Sequence, residues 1–171
     1  MDSRILVVGG WGSYNYLTPI ASAELYDAAE ESFTIAGYLD SERALHTATI
    51  LRDGRLLLVG GRDSKTSLAS AELYDPSTGQ FASTGPMKTR RFLHTSTLLE
   101  DGRVLVTGGS SLTTAEIFNP VEGEFSPAGN LTTSRSGHVG TLLADGRVLI
   151  AGGIDDNGDY LATAELYGWK R

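Results

Sequence analysis

The sequence predicts an all-β protein: a row of small antiparallel sheets, each made from the same few strands. Landmarks recur four times along 171 residues, and the Gly-Gly doublets 9–10, 60–61, 108–109 and 152–153 stand 51, 48 and 44 residues apart. No window carries the i, i+3, i+4, i+7 apolar spacing of an amphipathic helix. Glycine is abundant at 21 residues against 5 prolines, which suits many tight turns between short strands.

Each unit reads as four strands. The first, as in 94–99, is rich in small and β-branched residues and ends at Asp-Gly, a hairpin turn pair that accepts positive φ. Asp-Gly-Arg appears at 53–55, 101–103 and 145–147, with Asp2-Ser3-Arg4 a worn copy. The second strand (56–59, 104–107, 148–151) is apolar on both pleat faces, as a strand sandwiched between two sheets must be. The glycine doublet ends it. The third is the Ala-Glu stretch at 23–24, 71–72, 115–116 and 164–165, closed by turns such as 75–79 and 119–123. The fourth centres on Phe33, Phe81 or Phe125. First strands carry small residues (Ala48, Ser96, Gly140) and outer strands carry rings (Tyr74, Phe81, Phe118, Phe125), so each sheet is a wedge. Wedges of four strands repeated about a common axis are the blades of a β-propeller.

The units run approximately 1–40, 41–88, 89–132 and 133–171 within one domain. The first lacks its inner strand and the last its outer strand, giving three, four, four and three strands. The sequence is therefore compatible with a piece of a longer propeller, a half-ring that pairs with a second copy as a homodimer, or a strained closed ring of four.

Arg-x-x-His-Thr-x-Thr-Leu-Leu-x-Asp-Gly-Arg-Val-Leu-Val-x-Gly-Gly followed by Ala-Glu-Leu-Tyr-Asp-Pro resembles the kelch-repeat β-propellers, in the form common among bacterial proteins. The resemblance runs from Arg4 to Tyr167. It departs from the commoner pattern in using Phe where Trp is usual in the fourth strand, and in the turn at 27–31, which lacks the Pro and Gly of its sisters. It implies a non-catalytic interaction or scaffold module that binds a protein or a carbohydrate. The alternative it implies is a carbohydrate-active enzyme of the sugar-isomerase type, with Arg43, His46 or their sisters as acid-base groups. Galactose-oxidase chemistry is excluded, because it needs a cysteine crosslinked to tyrosine and this chain has none.

Composition narrows the partners. Lys plus Arg total 14 against 21 Asp plus Glu, a net charge of -7, which disfavours a phosphate-tracking nucleic-acid surface. Apolar runs are too short to span a bilayer and the first residues do not read as a signal peptide, so no membrane partner is expected. The compartment stays open: cytoplasmic if the chain is whole, extracytoplasmic if it is a piece of an exported protein.

Residues that repeat from unit to unit are expected to be structural: Arg43, Arg91 and Arg135; His46, His94 and His138; Glu72, Glu116 and Glu165 with Glu24; and the doublets Gly60-Gly61, Gly108-Gly109 and Gly152-Gly153. The arginines are the natural ion-pair partners of the glutamates, and the histidines are expected to bond to adjacent backbone. No catalytic residue, metal ligand or cofactor is assigned. Binding is expected where the units differ, in the loops after the doublets: Trp11, Tyr14, Asn15 and Tyr16 in the first, Arg62, Asp63 and Lys65 in the second, Asp155, Asp156, Asp159 and Tyr160 in the fourth. The acidic fourth loop offers oxygen atoms to calcium, but its spacing does not match an EF-hand loop and an Asn-Gly turn explains it as well.

Overall fold

The computed structural model describes residues 4–12 and 18–168. Fourteen strands form four separate antiparallel sheets, with no helix among the described residues. The first sheet holds β1 (Ile5–Val8), β2 (Ser22–Asp27) and β3 (Ser32–Tyr38). The second holds β4 (Thr47–Ile50), β5 (Leu56–Val59), β6 (Ala71–Asp75) and β7 (Gln80–Ser83). The third holds β8 (Thr95–Leu98), β9 (Val104–Thr107), β10 (Thr114–Asn119) and β11 (Glu124–Asn130). The fourth holds β12 (Val139–Leu142), β13 (Val148–Ala151) and β14 (Ala164–Tyr167). Each sheet is a meander whose strands pair in sequence order, because the connections are tight turns. This is the blade pattern of a kelch-type β-propeller.

The inner strands β4, β8 and β12 lie side by side, so the sheets fan out from a common line. The fan is open. The closed ring of four does not form, and the outward faces of the first and fourth sheets stay uncovered: Ile5, Phe33, Val139 and Leu166 are each about half exposed or more. The interior faces behave differently. Between the second and third sheets, Leu57, Val59 and Ala71 pack on Val104, Val106, Phe118 and Phe125. Between the third and fourth, Leu105, Ala115 and Ile117 pack on Val148 and Ile150, with Tyr167 at the edge. In each of the first three units an outer aromatic pair fills the wide end of the wedge, with Tyr74 and Phe81, for instance, 4.8 Å between ring centroids. At the narrow end Gly140 is required to be small, since a Cβ there would stand 2.8 Å from Thr95 Oγ1.

The irregular turn at 27–31 folds like its sisters, with a substitution of means. Where Gly79 and Gly123 supply positive φ, Glu31 takes φ 48°, and Asp27 Oδ1 accepts the Ala29 and Glu30 amides. In β2–β3 and β10–β11 the register slips by one residue beside Gly37 and Gly129, a bulge that the strand glycines mark.

Candidate functional site

The glycine doublets set up the candidate site, because they turn each chain segment onto the next unit. Gly60 and Gly61 both have positive φ, and a Cβ on them would lie 2.5 Å from the Arg91 carbonyl and 2.6 Å from the Ala44 carbonyl respectively. Only glycine fits there. The amide of the second glycine then donates to the next unit's arginine carbonyl: Gly10 to Arg43 at 2.8 Å, Gly61 to Arg91 at 2.9 Å and Gly109 to Arg135 at 2.7 Å. The second, third and fourth loops that follow leave the same end of their sheets and lean on an Arg-x-x-His turn, Arg62 pairing with Ala44, the Ser110 amide donating to the Phe92 carbonyl and Ile154 pairing with Ser136.

Behind that rim, the arginines are staples. Arg91 Nη1 donates to the Gly108 and Thr114 carbonyls, and Nη2 to Thr114 Oγ1 and to Glu116 Oε1 at 2.8 Å. Arg43 does the same with Gly60, Ser70 and Glu72, and Arg135 with Gly152, Thr163 and Glu165. The glutamate's remaining valences reach the linker from the preceding sheet: Glu72 accepts the Asp40 amide, Glu116 those of Lys88 and Thr89, and Glu165 that of Thr132. The three guanidinium groups are almost fully buried, and each pair ties the segment entering a sheet to a strand of that same sheet. Glu24, the fourth member, has no ion-pair partner among the described residues.

Two of the histidines also bond beyond the adjacent backbone. Nε2 of His94 meets Thr47 Oγ1 at 2.9 Å, and Nε2 of His138 meets Thr95 Oγ1 at 3.1 Å, each across a sheet interface. The reason is geometric: the turn before the inner strand takes positive φ at Leu45, Leu93 and Gly137, which throws the following ring toward the preceding sheet. Burial, reinforced by the adjacent arginine, lowers the His94 pKa to about 3 and those of His46 and His138 to about 4, so all three are neutral near pH 7. The hydroxyl partners were legible and unread: Ser70, Thr114 and Thr163 each stand directly before Ala-Glu, and Thr47 and Thr95 directly after His.

On the rim itself the loops are built and distinct. Trp11 is half-buried in a single β-bridge to Pro19; Tyr14, Asn15 and Tyr16 lie outside the described residues. Arg62 bridges Ala44 and Ser67 and sets its guanidinium 5.8 Å from the centre of the Phe92 ring, a cation–π contact from the second unit's loop to the third unit's turn. Asp63 Oδ1 accepts the Lys65 and Thr66 amides and leaves Lys65 exposed. These bonds hold the Asp63 carboxyl below the usual carboxylate range. The third loop is short and takes positive φ at Ser110 and Ser111. In the fourth, Asp155 Oδ1 accepts the Asn157 and Asp159 amides, Asp156 Oδ1 accepts the Ser134 hydroxyl, and Tyr160 stands 87% exposed. The carboxylates of Asp155 and Asp156 are thus engaged in shaping the turn. Among the described residues no three His, Asp or Glu side chains gather as a metal site.

Residues 43–88, from the first staple arginine to the end of the second unit, match the family model of the Kelch motif. The chain carries a kelch repeat. The arginine, the glycine doublet and the aromatic pair of that unit recur at the corresponding places of the third. No curated protein matches the chain. The residues that recur between units are those the geometry assigns to holding the sheets and their linkers together, and the rim loops are where the units part.

Proposed function

We propose that the protein is a non-catalytic kelch-type interaction module whose binding face is the loop rim after the glycine doublets. The observation that carries this reading is the burial of the groups an enzyme would need. Arg43, Arg91 and Arg135 are at most 1% exposed, His94 and His138 at most 6%, and His46 is half-buried; the arginine Nη groups are bonded to internal carbonyl, hydroxyl and carboxylate oxygens. A sugar isomerase drawing on these residues would have to unpack two sheets to reach its substrate. The rim, by contrast, presents different chemistry in each unit on a rigid base: an exposed aromatic at Tyr160, a cation at Lys65 and a half-buried indole at Trp11. Aromatic anchors beside adaptable polar groups are what protein partners engage, and a sugar would stack on the same rings.

The test is binding of the protein to a random-peptide display library and to a glycan array, repeated with Tyr160→Ala and Lys65→Ala. Peptide ligands that lose at least tenfold in affinity to these variants, with the melting temperature unchanged, support the rim. Ligands indifferent to both variants, or turnover of a sugar that His94→Ala abolishes without unfolding the protein, would overturn it.

A further inference from the structure

The two uncovered sheet faces are the two halves of an interface the protein already contains. Between the second and third sheets, the strand-borne apolar core comes from β5 and β6 on one side and chiefly from β9, β10 and β11 on the other; the inner strand of the receiving sheet adds only Leu98 at the edge. The fourth sheet has the strands equivalent to β5 and β6, namely β13 and β14, and the first sheet has those equivalent to β9, β10 and β11, namely β1, β2 and β3. In that interior pair the inner strand of the receiving sheet and the outer strand of the presenting sheet contribute little or nothing to the core.

Register makes the correspondence residue by residue. Ile5 and Tyr26 stand opposite each other as Val104 and Phe118 do, and Tyr26 faces Phe33 as Phe118 faces Phe125. On the other side, Leu149 faces Leu166 as Leu57 faces Leu73. The interior members are buried, with Val104 and Phe118 at 0% and Phe125 at 8%, whereas Ile5 is 56% exposed, Phe33 58% and Leu166 48%. Among the described strand residues of these two faces, Glu24 is the one charged side chain, and it lies toward the rim end of β2.

One substitution identifies the occupant. Thr47 and Thr95 each receive the histidine of the following sheet, but the equivalent place in the fourth sheet is Val139, 63% exposed. A further sheet with its own Arg-x-x-His turn would leave its imidazole without that hydroxyl. Strands β1 to β3 present no histidine, so a valine meets them without leaving an imidazole unpaired. We infer that the uncovered face of the fourth sheet docks on the uncovered face of the first sheet of a second copy, and that two copies close head to tail into one ring. Eight units lie within the range that propellers use, and closure leaves neither face open.

Sedimentation of the protein at about micromolar concentration tests this, since protein pairs of specific fit associate in that range. The expected species has twice the chain mass of 18.2 kDa. Phe33→Lys and Leu166→Lys should each give the single-chain mass, and a one-to-one mixture should restore pairing through the one interface whose halves are both intact. A monomer at every concentration, a ladder of growing polymers, or dissociation by only one of the two variants, as in a like-on-like pair, would overturn the inference. Both side chains are already exposed; should either variant fail to melt cooperatively, Ile5→Lys and Val139→Lys ask the same question. Failure here leaves the rim-binding reading standing, because each reads a different surface.

Discussion

Arg91 shows how one side chain serves two levels of structure. Its guanidinium stitches the third sheet together through Gly108, Thr114 and Glu116, while its own carbonyl takes the Gly61 amide of the second. Removing one partner of a buried pair strands the other charge, at a cost of about 3–5 kcal/mol. Arg91→Ala should therefore lower the melting temperature by on the order of 10 °C. Arg91→Lys should recover little of it, because an ammonium cannot reproduce the planar fork of donors. The histidines predict an acid sensitivity. Their pKa values fall on folding, from 6.5 to about 4, 3 and 4, so the unfolded chain binds more protons below pH 6.5. Stability is full above that pH and drains as pH falls toward the folded values. Urea denaturation between pH 7 and 5, above the range of ordinary carboxylates, should show the loss, and His94→Gln should flatten its slope. A pH-independent midpoint in that window would contradict neutral buried imidazoles.

At the level of the element, the turns explain why fourteen short strands keep their places. The Asp-Gly-Arg hairpins are held by the same carboxylate taking both the arginine amide and its side chain, as Asp101 does with Arg103, which keeps the Asp101 carboxyl below its usual range. The turn at 27–31 is the outlier, since Glu31 pays for a left-handed conformation that glycine adopts freely. Glu31→Gly should raise stability by about 1 kcal/mol, read from chemical denaturation, the left-handed penalty being of that size. An unchanged or lower stability would mean that Glu31 contributes something its backbone angle does not reveal.

At the scale of the whole molecule, stability is expected to be graded along the row of sheets. The second and third have neighbours on both faces, whereas the first and fourth have one each. In a stack of units coupled only to nearest neighbours, the ends open first. In the unpaired copy, diluted below the pairing concentration, amide hydrogen exchange should thus be slowest in β5 and β9 and faster in β1 and β14. Uniform protection across all four sheets would show that the ends are covered in solution, as the head-to-tail ring requires; dilution below the pairing concentration should then restore the gradient. By itself the sequence determined the strands, their order in each sheet and the three, four, four, three division, because hairpin turns and apolar alternation act between residues close along the chain. It also marked Arg43, His46, Glu72 and their sisters as structural from recurrence alone. Only the tertiary structure decided what those residues hold. The hydroxyl that receives His94 lies 47 residues away on another sheet, and whether the fan closes depends on the rotation from one sheet to the next, which no local pattern of side chains encodes.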